Sequence, residues 1–538
     1  MHSKVCLILT GSTLQEDLGM FAFYQETSHS VDMLELRADH LNHNEIFQVY
    51  KFPSLVDVPV ILTIRREKDG GEFRKGEYAR LLTFFRCLNA DTFETKCMAG
   101  RRFENANSPS FRGKSNKHSN FSNSAKTFAY IDLEDDFHIP ELEDICTLLN
   151  IKIIRSHHSI RSPIQDYDVL VKNIQQQKYD IIKIASLAQS PSDTQKMFEA
   201  GERLKNEECI LISLGKYGIV SRILATRLGS KWIYVLSQDA IEERRCEDEM
   251  LEAEDLVHGT YNFRKISEKS ELFGIIGSSV NNALSLAYHN RFFAKHNMDC
   301  AYIPLSAQNI EEALTLAQYL EVKGLSVTAP FKVQAMQYAD MIDESARLIG
   351  SCNTLTFFGE KFYNEVKAYN TDVAGFEKAL KLFLKEELKP SLKVSVLGAG
   401  GAARAVCYVL YKLGIKQVVI FNRTHAKAQQ LATQFNFESC ILDASAIHAL
   451  REHSALIINA TSLGGLNSAD KDVLPFYRFV GDERVFDLAY RNSAHFPQET
   501  PLLERAKSHG CITQNAYSMF HYQALEQIKI FYTNRYIL

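Results

Sequence analysis

The sequence predicts an α/β protein in two parts, an N-terminal (β/α)8 barrel followed by a two-lobed α/β unit with one Rossmann-type lobe. Three observations support this prediction. Eight short apolar runs alternate with amphipathic stretches over about the first 240 residues, as a parallel barrel requires. A charged stretch at 241–250 then leads to a junction near 267–270. A new apolar run, Leu272–Ile276, starts a second part in which a glycine-rich turn follows a strand.

The eight apolar runs of the first part are short and rich in β-branched residues, which is typical of buried parallel strands. They are Val5–Thr10, Met33–Arg37, Val58–Arg65, Phe128–Glu134, Ile151–His158, Asp180–Ser186, Cys209–Leu214 and Trp232–Val235. The segment at 101–126 interrupts this pattern with Asn, Ser, Lys and Arg and few large aliphatic residues. We expect it to form an exposed insertion, and we favour a solvated loop over a phosphate-binding segment.

Charged side chains close many of these strands, at the edge where (β/α)8 barrels carry their chemistry. They are Glu35, Arg37, Arg65, Glu134, His157, His158, Lys183 and Arg222. Such residues are costly beside apolar strands unless they converge on a polar ligand. Lys183 lies between isoleucines, and desolvation there favours the neutral amine that forms a Schiff base. A lysine at the barrel rim, or one paired with Glu134, is the alternative interpretation.

The histidines and arginines at these strand ends fit the same kind of site. His158 suits a general base near neutral pH, although a histidine in this place can also simply cap a strand. Arg37, Arg65 and Arg222 suit a ligand that carries a carboxylate and hydroxyl groups.

The glycine-rich turn of the second part indicates a dinucleotide site. Val394–Leu397 runs into Gly398, Ala399, Gly400, Gly401 and Ala402, a pattern that brings a pyrophosphate onto a helix N-terminus. The next strand ends in Asn422, Arg423 and Thr424 instead of the Asp or Glu usual with NAD. Arginine suits a 2′-phosphate, so the sequence predicts NADP; an ordinary strand-to-helix turn is the alternative.

Short polar clusters also end the apolar runs before this turn, as expected where two lobes meet around a polyhydroxylated ligand. Lys332 and Asp372 are predicted to serve as proton donor and orienter for an alcohol–ketone pair beside the nicotinamide. A structural ion pair is the alternative interpretation.

The composition limits the class of protein. Of 538 residues, 46% are hydrophobic and 23% charged, with a formal net charge of −4, which is typical of a globular protein and disfavours a nucleic-acid partner. Because no segment reaches ~18 apolar residues and no signal peptide is recognisable, we expect no membrane span. The 11 cysteines are scattered without a CxxC pair, so neither a metal site nor a disulfide framework is predicted. We expect a cytoplasmic protein, or a plastid stromal one if eukaryotic.

The first part resembles type I 3-dehydroquinate dehydratase. The matching motifs, in the same order, are Leu34–Asp39, Thr63–Arg65 followed by Gly70-Gly71, Ser156–His158, Lys183–Ala185 and Gly218–Arg222. The resemblance implies that Lys183 forms an imine with the ketone of 3-dehydroquinate. It also implies that His158 removes the C2 proton and later protonates the leaving hydroxyl, with Glu35, Arg37, Arg65 and Arg222 holding the substrate.

Residues 272–538 resemble shikimate dehydrogenase. The matching motifs are Gly274–Phe293, Ser326–Lys332, Gly350–Thr354, Asn370–Asp372, Asn459–Gly464, Asp487–Tyr490, Thr500–Leu503 and Met519–Gln523. The resemblance implies a catalytic pair of Lys332 and Asp372. It implies substrate-binding roles for Ser285, Thr328, Asn353 and Gln523, phosphate contacts at 398–402 and 422–424, and a nicotinamide contact at Leu488. Ala283 stands where the family carries a carboxylate-binding serine.

Together the two resemblances imply a bifunctional enzyme with an NADP-binding dehydrogenase half, because the ketone made by the first half is reduced by the second. The predicted segments are a barrel at 1–266, a shikimate-binding lobe at 267–375, an NADP-binding lobe at 376–500 and a helical return at 501–538. One alternative is a shikimate or quinate dehydrogenase with a non-catalytic barrel. That view rests on the region from Val235 to Arg245, where we find no counterpart of the Ser and Gln in the family's closing loop. A metabolite-sensing regulator is the other alternative.

Overall fold

The computed structural model describes residues 2–27, 30–90, 126–244, 250–358, 365–465, 468–489 and 499–533. Its contacts divide the chain into two compact units. The first comprises Met1–Ser270 with Phe293–Ala301, and the second comprises Glu271–Phe292 with Tyr302–Leu538. Apart from Lys126, the predicted insertion at 101–126 lies outside the described residues. In this described part, no helix combines the length and apolarity needed to cross a membrane.

The first unit contains a nearly closed barrel of eight parallel strands, which confirms the predicted fold. The strands are β1 (Lys4–Leu9), β2 (Met33–Arg37), β3 (Val60–Thr63), β4 (Tyr130–Glu134), β5 (Lys152–Ser159), β6 (Ile181–Leu187), β7 (Cys209–Leu214) and β8 (Trp232–Val235). Hydrogen bonding runs in the order β7-β6-β5-β4-β3-β2-β1-β8. An isolated parallel bridge links Cys209 of β7 to Ser230, which lies just before β8.

Helices follow most of the strands, and local capping explains where several of them begin. They are α1 (Leu14–Thr27), α2 (Glu77–Cys87), α3 (Pro140–Leu148), α4 (Tyr167–Gln175), α5 (Pro191–Arg203), α6 (Ile219–Ile223), α7 (Ala225–Leu228) and α8 (Gln238–Arg244). Asp166 accepts hydrogen bonds from two backbone N–H groups at the start of α4, and Ser190 with Asp193 forms a capping box before α5. Apolar side chains from the strands, among them Ile61, Ile154 and Trp232, fill the barrel interior.

Asp17, on the first helix, is a fully buried acid outside the strand-end cluster. One carboxylate oxygen, Oδ1, accepts a 2.8 Å hydrogen bond from the Gly11 backbone N–H, while Oδ2 forms none with a described residue. Burial raises the pKa of Asp17 to about 7. Because this pKa lies above the unfolded value of about 4, the folded state retains the proton that the unfolded chain loses between pH 4 and 7. The stability of the barrel therefore falls as the pH rises through this window.

We expect the Asp17→Asn variant to be more stable than the wild-type protein at pH 8, by at most about 4 kcal/mol, with a smaller difference at pH 5. The amide keeps an oxygen for the Gly11 N–H but carries no charge to desolvate. Thermal unfolding at both pH values measures the effect. Glu16→Gln is the matched control, because hydrogen bonds from Ser12 lower the pKa of this exposed neighbour. A difference between wild type and Asp17→Asn that is equal at both pH values would contradict the prediction.

The second unit contains two six-stranded sheets. The first has the order β10-β9-β11-β13-β14-β12 and the second the order β17-β16-β15-β18-β19-β20. The strands are β9 (Glu271–Gly277), β10 (Cys300–Ser306), β11 (Gly324–Val327), β12 (Met341–Ile342), β13 (Thr354–Phe358), β14 (Glu365–Tyr369), β15 (Lys393–Leu397), β16 (Gln417–Asn422), β17 (Glu438–Ile441), β18 (Leu456–Asn459), β19 (Arg484–Asp487) and β20 (Ile512–Gln514). The second sheet is parallel throughout, with β15 at the point where the strand order reverses. This is the Rossmann-type topology predicted from the sequence.

The remaining helices surround these sheets. They are α9 (Leu284–Lys295), α10 (Ile310–Tyr319), α11 (Glu344–Ile349), α12 (Thr371–Leu384), α13 (Gly401–Lys412), α14 (His425–Phe435), α15 (Ile447–Glu452), α16 (Pro501–Ser508) and α17 (Tyr517–Thr533). Within the segment predicted as a helical return, α16 comes first, β20 then extends the second of these sheets, and α17 ends the described chain. Helices α12 and α17 cross closely at Gly375, where an added Cβ would lie 2.6 Å from the Cβ of Gln523.

Candidate active sites

The predicted lysine of the barrel is buried at the centre of a charged cluster. Lys183 lies on β6 with 3% of its surface exposed. Its Nζ is 2.8 Å from the Asp132 carboxylate on β4 and 3.5 Å from Glu35 on β2. On another side, Nζ lies 4.1 Å from the ring centroid of Tyr234 on β8. The amine is therefore neither at the rim nor paired with Glu134, the two alternatives left open by the sequence.

His158, on the neighbouring strand β5, pairs in register with Ala185 of β6. Its Nε2 is buried and forms no hydrogen bond with a described residue. Burial, together with the positive charges of Arg65 and Lys183, lowers the pKa of His158 well below its ordinary value. The imidazole is therefore neutral near pH 7, which is the state that accepts a proton.

Positive and negative side chains alternate along the inner wall beside the lysine. Arg65 donates to Asp132 at 2.8 Å and to Glu134 at 3.2 Å, and the buried Arg80 of α2 donates to the other oxygen of Glu134. Burial acts to raise the pKa of Asp132, but the charges of Arg65 and Lys183 outweigh it and hold that pKa well below its usual range. Asp132 is therefore a permanent carboxylate next to the amine.

The other predicted substrate-binding residues of the barrel lie on β2 or on helix α6, each with a protein partner. Glu35 accepts a 2.8 Å hydrogen bond from Thr63. Arg37 forms a bidentate pair with Asp39, at 3.0 and 2.7 Å. Arg222 is buried on α6, and its Nη1 lies 3.5 Å from the Tyr234 carbonyl oxygen. The strands thus bring the predicted residues to one end of the barrel, where several buried charges compensate one another.

The sequence reasoning missed three residues of this cluster, namely Asp132, Arg80 and Tyr234. Asp132 was detectable, because it lies two residues before Glu134 on the same strand and so faces the same side. Arg80 and Tyr234 carried no local signal, since each looks like an ordinary member of a helix or an apolar strand.

The second unit contains a pocket that collects most of the residues predicted there. It is lined by Ile275, Ser285, Ser326, Val327, Thr328, Lys332, Asn353, Asp372, Ala402, Leu488, Ala516, Met519, Phe520, Gln523 and Gln527. The predicted catalytic pair, the four predicted substrate-binding residues and two predicted cofactor contacts are all among them. Polar groups therefore converge with apolar ones in a single cleft, as in small-molecule sites.

Lys332 and Asp372 form a hydrogen-bonded pair in this pocket. Lys332 Nζ lies 2.6 Å from Asp372 Oδ2, and Asn353 Nδ2 donates to Asp372 Oδ1 at 3.0 Å. Asn370 caps α12 by accepting from the Asp372 backbone N–H, which places the carboxylate at the start of that helix. Gln523 Oε1 is 3.4 Å from Asn353 Nδ2. A ligand hydroxyl in this pocket would therefore find a hydrogen-bond donor, Lys332 Nζ, that the Asp372 carboxylate holds in place.

The glycine-rich turn has the geometry that a pyrophosphate needs. Gly398 follows β15 with φ +109°, and a Cβ there would lie 3.0 Å from the Ala460 carbonyl oxygen. Gly400 precedes α13, and a Cβ built on it would meet nothing within 4 Å. Open space thus lies beside the N-terminus of a 12-residue helix, so the turn fits the phosphates of a dinucleotide. A Cβ on Gly401 would lie 3.7 Å from Lys332 Cδ, which brings this turn next to the pocket.

The predicted 2′-phosphate residues follow β16. Asn422 ends the strand and donates to the Thr424 carbonyl oxygen at 2.8 Å, which fixes the turn. Arg423 and Thr424 are exposed on that turn. Because the strand ends in Asn422 instead of an Asp or Glu, no carboxylate at that position would repel a phosphate bound to the exposed guanidinium of Arg423.

The sequence reasoning missed Gln527 of the pocket, and it assigned no role to Phe520, which lies in the Met519–Gln523 motif. Gln527 Nε2 donates to Thr354 Oγ1 at 3.0 Å, and its Oε1 accepts from Ser326 at 3.0 Å. The spacing of Met519, Gln523 and Gln527 at every fourth position was a usable signal, because such residues share one helix face.

Three family models match this chain. Residues 5–95 and 105–268 match type I 3-dehydroquinase. Residues 275–355 match the shikimate dehydrogenase substrate binding domain, and residues 382–473 match shikimate / quinate 5-dehydrogenase. These matches cover both predicted halves and confirm the two resemblances.

Similar proteins include enzymes with one half and with both. The shikimate dehydrogenase (NADP(+)) of Maridesulfovibrio salexigens is 35% identical over 269 residues, which are 49% of this chain and 92% of that protein. The bifunctional 3-dehydroquinate dehydratase/shikimate dehydrogenase, chloroplastic, of Arabidopsis thaliana is 31% identical over 397 residues, 70% of this chain and 62% of that protein. The shikimate biosynthesis protein AroDE of Chlamydia pneumoniae is 29% identical over 385 residues, 71% of this chain and 74% of that protein.

Proposed function

This chain belongs to the shikimate dehydrogenase family, and from that premise we propose a bifunctional enzyme that dehydrates 3-dehydroquinate and reduces the product to shikimate. The observation that carries the first activity is the buried Lys183, held between carboxylates with the neutral His158 on the next strand. The division into segments 1–266, 267–375, 376–500 and 501–538 is part of the same proposal, as is a cytoplasmic or plastid location.

In the barrel, the Lys183 amine attacks the substrate ketone, and loss of water gives an imine. His158 then takes the C2 proton, and the C2–H electron pair moves towards the imine nitrogen to form an enamine. The enamine expels the C1 hydroxyl, which leaves as water with the proton returned by His158. Hydrolysis of the remaining imine frees the amine and releases 3-dehydroshikimate.

Borohydride trapping tests this first activity. The full-length protein is incubated with 3-dehydroquinate and borohydride, and its peptides are mapped by mass spectrometry. We expect a reduced adduct on Lys183, and release of 3-dehydroshikimate when borohydride is omitted. An intact NADPH-dependent reductase without the adduct would leave only the dehydrogenase, and would favour the non-catalytic barrel suggested by the missing closing loop.

In the second unit, Lys332 acts as proton donor to the carbonyl oxygen that becomes the C3 hydroxyl, and Asp372 orients it. NADPH, when bound, supplies the hydride. The glycine turn at 398–402 is proposed to hold its pyrophosphate, and Asn422, Arg423 and Thr424 its 2′-phosphate. Ser285, Thr328, Asn353 and Gln523 are proposed to bind the hydroxyls and carboxylate of the substrate, and Leu488 to contact the nicotinamide.

We expect the Arg423→Ser variant to raise the KM for NADPH by about 10- to 100-fold, because a hydrogen bond to a charged group contributes roughly 1.5–3 kcal/mol. The KM for NADH should change by less than about twofold, since NADH has no 2′-phosphate for the guanidinium to contact. Steady-state reduction of 3-dehydroshikimate with each cofactor measures both values. Arg478→Ser, an exposed arginine of the same lobe, is the control. Equal losses with NADPH and NADH would show that Arg423 does not read the 2′-phosphate.

Quinate is the second candidate substrate of the dehydrogenase half, and Ala283 is the observation that raises it. Ala283 replaces a serine of the carboxylate-binding motif and so removes one donor beside Ser285. Oxidation of shikimate and of quinate at equal concentrations decides between them. A higher kcat/KM for quinate would reassign this half.

A further inference from the structure

We propose that Tyr234 is a catalytic contact of the barrel, whose ring face stabilises the positive charge of the imine nitrogen formed on Lys183. The inference deepens the proposed dehydratase and rests on it. The aromatic face of Tyr234 lies against Nζ of Lys183, the atom that forms the imine.

Lys183 Nζ and the ring of Tyr234 are close to each other and shielded from solvent. The Nζ atom of Lys183 lies 4.1 Å from the ring centroid of Tyr234, and both residues are 3% exposed. Tyr234 is fixed by strand β8, where it pairs in register with Cys6 of β1. A cation over an aromatic face is attracted by the ring quadrupole, and the attraction grows when water is excluded. The ring is therefore an effective partner for a charge at this nitrogen.

Other charged or titratable groups surround the same nitrogen. From the elements packed around it these are Asp132, Glu35, Arg65, His158 and Cys6. Among these groups the carboxylates of Asp132 and Glu35 attract a cation, both by their charge and by accepting hydrogen bonds from its N–H groups. The ring attracts it without using a donor.

This difference matters once the imine forms. A lysine ammonium has three N–H donors and contacts both carboxylates, whereas a protonated imine has one and hydrogen-bonds to one of them. The ring contact is kept, because it needs a positive charge over the ring face but no N–H donor. Tyr234 thus stabilises the protonated imine after one carboxylate contact is lost. The protonated form is the one that accepts the electron pair of the C2–H bond, so the ring keeps the electron sink available.

A series of rings of increasing fluorination at position 234 tests this role. Phenylalanine and its mono-, di- and trifluoro analogues have nearly the same shape, but each fluorine weakens the negative ring face. The measurement is the pH dependence of cyanoborohydride trapping with 3-dehydroquinate, because this reagent reduces the protonated imine. We expect the pH of half-maximal trapping to fall stepwise, by about one unit from phenylalanine to the trifluoro ring. A shift of one unit corresponds to about tenfold less adduct on the alkaline side.

The tyrosine hydroxyl does not enter this comparison. Burial raises the pKa of Tyr234 well above its usual value, so the hydroxyl carries no charge, and every ring of the series lacks it. The same fluorinated series at Phe198, a buried residue of α5, is the control for changes in packing.

The outcomes separate the inference from the proposed function. A half-maximal pH that is constant across the series at 234, in protein that still forms the Lys183 adduct, overturns the role of the ring. An equal shift in the Phe198 series overturns it as well. Absence of the adduct in the wild-type protein defeats the dehydratase proposal itself, and the inference with it.

Discussion

The Lys183→Met variant is expected to lose dehydratase activity by at least about 10³-fold, while NADPH-dependent reduction of added 3-dehydroshikimate stays within about twofold of wild type. Methionine has no amine to form the imine, so the reaction loses its electron sink. The dehydrogenase residues belong to the other compact unit and are unchanged. Coupled assays of the two half-reactions on the same preparation measure both effects.

Removal of the lysine charge also breaks one of the two buried ion pairs of Asp132, because only Arg65 then remains 2.8 Å from this carboxylate. We expect a loss of stability below the cost of leaving a buried charge without any partner, which is about 3–5 kcal/mol. Lys183→Arg separates the two effects, since it keeps a positive charge beside Asp132 but provides no attacking amine. We expect the arginine variant to be as inactive as the methionine variant, but more stable. A dehydratase that survives in the arginine variant would exclude the covalent route.

The Lys332→Met variant is expected to lower the kcat of the dehydrogenase by about 10²- to 10⁴-fold, which is the usual contribution of a positioned general acid. Dehydratase activity should not change. Asp372→Asn keeps the size of the side chain and removes the partner of the 2.6 Å contact, so a smaller loss in kcat is expected. Stopped-flow reduction of 3-dehydroshikimate separates the chemical step from product release.

The matched control for this pair is Lys381→Met. Lys381 is also 2.6 Å from a carboxylate, that of Glu377, but it lies exposed on α12 away from the pocket residues. An equal effect of the two lysine variants on kcat would mean that Lys332 forms only a structural ion pair.

The strands of the barrel were predictable, because buried parallel strands form continuous apolar runs in the sequence. The residues at which the strands end were harder to predict. The run Val58–Arg65 was predicted as one strand, yet β3 covers only Val60–Thr63, since hydrogen-bonded pairing extends just from Leu34 to Arg37 of β2. The length of a strand depends on its neighbour, and that information is not local in the sequence.

The charged cluster of the barrel shows the same limit. The sequence indicated that a lysine, a histidine and several arginines meet at one end, because strand ends share one face of the fold. It did not indicate which acid pairs with Lys183. Asp132 and Glu134 face the same side of β4, and the stagger between strands β4 and β6 decides for Asp132.

In the second unit, local motifs predicted most of the pocket, because each motif is a short polar cluster in a loop or at a helix start. Gln527 lies in the middle of α17 and was missed, although it shares a face with Gln523. Its role depends on the contact of that helix with Thr354 of β13, which is a long-range feature.

The crossing at Gly375 restricts how the substrate range of this enzyme can evolve. Helix α12 begins next to Asp372 and helix α17 carries Gln523, and the two backbones approach so closely that a methyl group at 375 would overlap Gln523. Neither helix can slide or rotate on its own without opening this contact. A lineage that acquires a new substrate must therefore exchange single side chains along α17, which leaves the catalytic pair undisturbed. Among natural enzymes with different substrate specificities, the sequence differences should accordingly concentrate at the pocket-facing positions of α17.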